Sequence, residues 1–479
     1  MSFTPLQSSF ATPVTFPLHH VRRSPTVFLN DQRGRIQGSH FAGEGRSDVG
    51  TFTGWNDSHS HVPGPGYSPA QIFDFASPLS QGVQDQLSLM DSAGVNRMLW
   101  MGIPTNIVGG KLTASCGDGP GLGRTYYLPD RFRDGTDRLA GADLPALYDV
   151  RQYYNLSIDW QLAKAWTELP ADVRERLLPS ITGINLQDTN SIHGVMRLKR
   201  EYPDTFHWAG EITGGKGFVE QQNRDYTPAF DEDAAIHANL AYLGRAGMGV
   251  TLHWDVSDEA RCIATGEPGR SERLAGIRSV FARHQANSCI VWAHLGGLGR
   301  SAPPSAGHVA DLRAVLKDFP NVCIDMSWSD VATHYSPHPQ PAFNCSDEQR
   351  ARFDPVADRA LRQVRIRELA ALIEEFPGRF LMGSDALVSH KAASISSTYA
   401  IYSNLGQGPG TSKVAGLFDH LKTDTQVAVL RGNFDRLYDQ AKGASRKYET
   451  QGLHKDMDAI HRQTLANGRT PNVWPGEQK

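Results

Sequence analysis

The sequence predicts an α/β chain folded as a (β/α)8 TIM barrel, and three observations carry that expectation. Short apolar runs that end in Gly or a polar residue alternate with amphipathic helical patterns at intervals of about forty residues, the signature of βα units on a parallel sheet. Eight such runs occur, the number a closed barrel needs. The glycine-rich turn that an open doubly wound sheet places after its first strand is missing. "DGPGLGR" (118–124) and "HLGGLGR" (294–300) hold glycines outside the GxGxxG register, and both read as loops.

In order, strands are expected at 51–59, 97–102 ("RMLWMG"), 178–185 ("LPSITGIN"), 205–211 ("TFHWAGE"), 249–253 ("GVTLH"), 289–294 ("CIVWAH"), 321–326 ("NVCIDM") and 379–385 ("RFLMGSD"). Helical patterns lie between them, among them "PLSQGVQDQLSLMDSAG", "DEDAAIHANLAYLGRAG", "AGIRSVFARHQ", "GHVADLRAVLKDF" and "RIRELAALIEEF", most of them stopped by Gly or Pro. The barrel is assigned to residues 51–440. Residues 1–50, rich in Pro, Ser, Arg and Gly, read as an N-terminal arm or small hairpin layer outside it. Residues 103–150, with "GGKLTASCGDGPGLG", read as an insertion after the second strand that overhangs the C-terminal mouth, where substrates bind. Residues 441–479 form a polar C-terminal extension with one helical stretch, expected to wrap a neighbouring subunit of a homo-oligomer or of a hetero-oligomer with a paralogue.

Composition narrows the function classes. The formal net charge is −3 and no Lys/Arg block exceeds "VRRS" or "LKR", so nothing matches the footprint of a phosphate backbone, and nucleic acid is not an expected partner. No run reaches eighteen apolar residues, so no membrane span is expected. The first residues, "MSFTPLQSSFATPVTF", lack a basic n-region and an apolar core, and a cytoplasmic address is expected. The five cysteines, at 116, 262, 289, 323 and 345, form no CxxC pair. Cys289 and Cys323 sit in apolar strands and read as reduced core residues.

The chemistry-bearing residues lie at strand ends. In "GWNDSHSHVPGPG" (54–66), His59 and His61 are two apart, so a strand there projects both imidazoles from one face. The fourth strand ends at Glu211, the fifth at His253, the sixth at His294 and the eighth at Asp385, and in this fold those positions converge on one axial mouth. Three of them have a structural reading as well: Glu211 as a helix cap, His253 as a satisfied core histidine, Asp385 as the N-cap of "ALVSHKAA". Together with the histidine pair they read better as metal ligands. His207, on the same strand as Glu211, reads as a deeper barrel-lining residue. Weaker candidates near the mouth are Trp254 and Asp255, Trp328 and Asp330, and His390 and Lys391; His334 and His338 lie in "THYSPHP" (333–339), a solvated loop or a lid.

Four histidines, a glutamate and an aspartate exceed what one tetrahedral zinc ion needs. They suit two divalent metals about 3.5 to 4 Å apart, bridged by the Glu211 carboxylate and a hydroxide, an arrangement whose natural use is hydrolysis near pH 7.

With these motifs the chain resembles the amidohydrolase superfamily, in particular the amidohydrolase-related (amidohydrolase 2) family. The resemblance spans residues 51 to 440 and rests on "NDSHSH", "MDSAGVNRMLWMGIP", "REYPDTFHWAGEI", "AGMGVTLHWD", "IVWAHLGG", "GRFLMGSDA" and "LRGNFDRLYD". It implies that His59, His61 and Asp385 bind a first metal, that Glu211 stands at the bridging position, and that His253 and His294 hold a second. It also implies Asp385 as general base, with His294 a free acid near the substrate in mononuclear members. The implied activity is metal-dependent attack on the carbonyl-type centre of a small amide, ester or lactone, with zinc as the metal. The same superfamily runs nonoxidative decarboxylation and, with dinuclear Fe or Mn/Fe as in the α-aminoisobutyrate hydroxylase system, O2 activation. A metal-holding structural subunit beside a catalytic paralogue is a further reading, since a ligand set can be kept for folding.

Overall fold

The computed structural model of the 479-residue chain describes residues 28–30, 36–38, 54–61, 78–102, 107–108, 111–112, 157–184, 186, 191–215, 234–256, 272–287, 289–298, 304–338, 351–387, 398–399, 401–402 and 415–466. Its barrel begins with β1 (Trp55–His61), α1 (Pro78–Ala93), β2 (Val95–Met101), α2 (Ser157–Thr167), β3 (Leu177–Ile181), α3 (Ser191–Glu201), β4 (Trp208–Gly215) and α4 (Ala234–Arg245). It continues with β5 (Gly249–Trp254), α5 (Glu272–Arg283), β6 (Ile290–Trp292), α6 (His308–Asp318), β7 (Val322–Asp325) and α7 (Pro355–Glu375). The eighth strand is broken into β8 (Phe380–Leu381) and β9 (Ala386–Leu387), and α8 (Asn433–Gln451) and α9 (Leu453–Ala466) follow.

Each strand from β1 to β8 pairs in parallel with its chain neighbour. The break in the eighth strand is what brings the sheet round to its start. β8 pairs with β7, then β9 crosses to β1 in the register Ala386 to Ser60 and Leu387 to His61. The (β/α)8 expectation therefore holds, with strands shifted by a few residues: the first runs to His61, the third stops at Ile181, and the eighth is two short pieces.

Local chemistry explains several elements. Asp354 caps α7, its carboxylate accepting from the amides of Val356 (2.8 Å) and Ala357 (3.2 Å), and Pro355 fills the first turn, where a missing N–H costs nothing. β1, β3 and β5 to β7 are buried along their whole length, as strands flanked by helices on one side and a filled barrel on the other must be.

Apolar side chains divide into two bodies. The larger lies between strands and helices. The smaller fills the barrel floor: Leu99, Leu178, Trp208, Cys289, Val291, Cys323 and Leu381 point inward and meet Phe434, Leu437, Tyr438 and Ala441 of α8. Those α8 positions follow the i, i+3, i+4, i+7 spacing of one helix face, so α8 plugs the N-terminal end of the barrel. Cys289 and Cys323 are free and buried there, as expected.

The expected boundary at 440 falls inside α8. Beyond it Tyr448 and Leu453 are buried in the main core, and Glu449 accepts from the buried Lys199 ammonium at 2.7 Å, so this stretch packs on its own barrel. Short antiparallel pairs form within the arm (Phe28–Asn30 with Ile36–Gly38) and within the insertion (Ile107–Val108 with Lys111–Leu112). The rest of 1–50 and 103–150, the remaining cysteines, "DGPGLGR", His390, Lys391 and residues 467–479 lie outside the described residues. Among the described residues no helix is long and apolar enough to cross a membrane.

Candidate metal centre

All six strand-end residues singled out in the sequence meet at the C-terminal end of the barrel, opposite the floor sealed by α8. His59, His253 and His294 are essentially inaccessible (0%, 0% and 1%), His61 and Glu211 slightly open (6% each), and the Asp385 side chain the most open at 15%. Solvent therefore approaches from the Asp385 side.

Each of the four imidazoles has one nitrogen tied to a group behind it and the other directed at a common centre. His59 Nδ1 donates to Asp325 Oδ2 at 2.8 Å, and His61 Nδ1 donates to the Gly102 carbonyl at 3.1 Å. His294 Nδ1 meets Ser327 Oγ at 2.9 Å, and His253 Nε2 meets Asp255 Oδ1 at 2.9 Å. Facing inward, His61 Nε2 lies 3.2 Å from Asp385 Oδ1 and 3.6 Å from Glu211 Oε2. His294 Nε2 lies 2.8 Å from Glu211 Oε1 and 2.9 Å from His253 Nδ1, which itself contacts Glu211 Oε1. His59 Nε2 is buried with no hydrogen-bond partner, 3.5 Å from Asp385 Oδ1 and 4.0 Å from Glu211 Oε1.

That orphaned nitrogen tests whether a metal fits. In the neutral ring, with Nδ1–H committed to Asp325, Nε2 carries a lone pair, and an acceptor buried without a donor costs about 1–3 kcal/mol. A cation removes the cost, and the carboxylate and imidazole donors around it suit a divalent ion. The candidate ligand atoms form two groups that could each hold an ion, His59 with His61 and Asp385, and His59 with Glu211 and His294. Glu211 reaches both sides, Oε2 toward His61 and Oε1 toward His294 and His253.

Electrostatics follow from the crowding of acids and imidazoles. Burial opposes charge on Asp385, yet the bond from His61 and the nearby His59 and His294 hold its carboxyl down at about 2. Burial likewise opposes protonation of His61, and its contacts with Asp385 and Glu211 outweigh that, raising it to about 10. His294 goes the other way, lowered by burial and by the neighbouring His253.

The backbone around His294 and Glu211 is unusual. After β6 the chain makes a left-handed turn through His294 (φ 57°), Leu295 (φ 53°), Gly296 and Gly297. Such a conformation costs roughly 1–2 kcal/mol per non-glycine residue. It is held by the His294 amide donating to Asp325 Oδ1 (2.9 Å), by His308 Nε2 donating to the Leu295 carbonyl (2.9 Å) and by the Val256 amide donating to the Gly297 carbonyl (2.9 Å). A side chain at Gly297 would place Cβ 2.0 Å from the Trp254 carbonyl. Glu211 follows Gly210, whose φ of 137° and whose Cβ position, 2.5 Å from the Thr251 carbonyl, admit no other residue.

Asp325, Ser327 and the Gly102 carbonyl were not among the sequence candidates. Asp325 ends β7 just as the ligand candidates end theirs, and the same strand-end reading applied to "NVCIDM" finds it. Of the weaker candidates, Asp255 holds His253, and Trp328, at φ 77°, places its ring 4.8 Å from that of His294. Trp254 faces the helix layer, donating to the Arg273 carbonyl at 3.1 Å. His207 lies just before β4, on the floor side of Glu211, against Tyr438 of the plug. His334 is buried on a 3-10 turn (Thr333–Tyr335) and not on a solvated loop, because α7 packs over it, Arg362 donating to the Thr333 carbonyl.

No family model matches the chain, and no curated protein matches it. Solved structures retrieved by shape include an amidohydrolase from Burkholderia multivorans with bound zinc (16% identity, TM-score 0.36, 81% of this chain and 99% of that one). They also include a putative 2-pyrone-4,6-dicarboxylic acid hydrolase from Pseudomonas putida (13%, TM-score 0.42, 81% and 98%). A third is 5-carboxyvanillate decarboxylase from Sphingomonas paucimobilis (14%, TM-score 0.36, 81% and 99%). All three likenesses are distant.

Proposed function

We propose that the protein is a metal-dependent hydrolase of the amidohydrolase type, acting on a carbonyl-type centre (amide, ester or lactone) of a small organic molecule. The observation that carries this reading is His59 Nε2, buried without a partner and ringed by the inward nitrogens of three further imidazoles and two carboxylates. His59, His61 and Asp385 would hold one ion and His253 and His294 a second, with Glu211 within reach of both sets of side chains; zinc fits the imidazole and carboxylate donors. Bound divalent metal supplies Lewis-acid activation of a water and of the substrate oxygen.

The chain's own groups do the rest. Asp385, the most open of the six and held ionised by its imidazole neighbours, accepts the proton of the attacking water as attack develops. Asp325, Ser327, Asp255 and the Gly102 carbonyl fix the four ring orientations, so the donors need not reorganise when substrate arrives. Burial of His59, His253 and His294 keeps bulk water from the inner side of the centre.

A second reading, with one ion and decarboxylase chemistry, is favoured by one fact: both ligand groups share His59, and its Nε2 serves one ion only. In that reading His294 is the acid beside the substrate. Metal analysis of protein grown without supplementation, run with a panel of esters, lactones, amides and aromatic acids, tests both. Two ions per chain and hydrolysis support the proposal. One ion with release of carbon dioxide replaces it with the second reading, and a metal-free, inactive protein overturns both.

A further inference from the structure

The break in the eighth strand contains Met382 to Asp385, and Asp385 is held at φ 52°, the left-handed region that side-chain-bearing residues rarely adopt. The residue that fixes this break comes from the first strand. Asp57, inaccessible and two positions before His59 on the same face of β1, accepts from the Ser384 amide at 2.8 Å and from Ser384 Oγ at 2.6 Å. The same carboxylate accepts from the His59 amide at 3.1 Å. Ser384 Oγ in turn accepts from the Ala386 amide at 3.0 Å, and Thr398 Oγ1 donates to the Ser384 carbonyl at 2.9 Å. The next amide, that of Asp385, donates to the His59 carbonyl at 2.7 Å.

We propose that Asp57 is a positioning residue for Asp385: its carboxylate clamps Ser384 through both amide and hydroxyl, and the clamp sets the left-handed turn that delivers the Asp385 carboxylate to His59 and His61. The inference rests on the reading of Asp385 as metal ligand and proton acceptor. Three donors converge on Asp57 from two strands, and both residues adjoining the pinned Ser384 amide belong to the break, so the clamp acts where the chain departs from regular pairing. A side chain at Gly383 would put Cβ 2.8 Å from His59 Cβ, so the loop lies against β1 and has little room to take another path. Releasing Ser384 removes what opposes relaxation of Asp385 to negative φ, and its carboxylate then leaves the imidazoles. Asp57 reaches Asp385 through Ser384, and the same carboxylate also fastens the His59 amide.

Full-length protein loaded with cobalt(II) provides the test, because the visible absorption of cobalt reports its donor set independently of turnover. Ser384→Ala and Asp57→Ala are each expected to alter that spectrum and weaken cobalt binding at least about tenfold, the scale for loss of a ligand's supporting partner. Ser384→Thr, which keeps the hydroxyl, is expected to restore both, and the double variant to be no worse than the more affected single, since the two residues form one unit. If Asp57→Ala fails to fold, the comparison of Ser384→Ala with Ser384→Thr is sufficient by itself. Wild-type spectrum and affinity in Ser384→Ala, with a changed spectrum in Asp385→Asn, overturns the clamp and leaves the ligand reading intact. An unchanged spectrum in Asp385→Asn overturns the ligand reading, and the clamp with it.

Discussion

The Asp325 carboxylate holds two parts of the candidate metal centre at once, accepting from His59 Nδ1 through Oδ2 (2.8 Å) and from the His294 backbone amide through Oδ1 (2.9 Å). One side chain at the end of β7 thus orients a ring on β1 and fastens the left-handed turn after β6.

Asp325→Ala should therefore damage the centre although Asp325 lies outside it. The expected result is metal affinity weaker by about 10- to 100-fold, the usual range when a ligand histidine loses its carboxylate partner. Chelator competition at fixed pH measures it, and an unchanged affinity would show that His59 is positioned by its strand alone.

Asp385→Asn keeps an oxygen donor but cannot take a proton. Most of the metal should remain while turnover falls at least about a hundredfold. Metal content and rate are to be read on the same sample; full metallation with near wild-type turnover would remove Asp385 from the base role.

Acid should destabilise the fold through buried neutral histidines. Burial pushes His308 down to about 4 and His334 to about 3, from an ordinary value of 6.5. As pH falls from about 6.5 toward 4 the unfolded chain takes up protons that the folded chain refuses, so stability drops across that window. Between pH 7 and 4, His308→Gln, whose amide can still donate to the Leu295 carbonyl, should lose less of its thermal midpoint than the wild type does.

Lys199 offers a test of the tail's attachment. Its inaccessible ammonium donates to the Phe206 carbonyl (2.8 Å), Ser445 Oγ (2.6 Å) and Glu449 Oε1 (2.7 Å), joining α3 to α8. Lys199→Ala leaves the largely buried Glu449 carboxylate without its cation, with the Asp204 amide (2.9 Å) still donating to it, at a cost of up to about 3–5 kcal/mol. Urea unfolding measures this, and adding Glu449→Leu should recover part of the loss.

The convergence of the six candidate residues was legible from strand geometry. The spacing of two between His59 and His61 survives as one face of β1, and His253, His294 and Asp385 stand at or beside strand ends, as a barrel requires; Glu211, expected to end its strand, lies in the middle of β4, which runs on to Gly215. What escaped belongs to tertiary contacts without a local signature. The Gly102 carbonyl is backbone, and Ser327 resembles any serine after a strand. The break at Asp385 is set by Asp57, more than three hundred residues earlier in the chain, and no window of sequence contains both. Asp325 is different: its strand-end position was visible in "NVCIDM", and only its pairing with His59 was not.

The pairing of β9 with β1 also dictates when the centre can exist during synthesis. His59 and His61 leave the ribosome early, but Asp385, and the Ser384 that Asp57 grips, arrive after four-fifths of the chain; the helix that seals the floor follows later still. Contacts so distant in sequence close slowly, because the loop entropy is lost before they contribute. Until then the nascent chain exposes a row of imidazoles and an unpaired β1 edge without the carboxylate that completes them. The His59, His61 and Asp385 group of the proposed centre can thus be complete only once the last fifth of the chain is being made, and a chain truncated before Asp385 would lack that group.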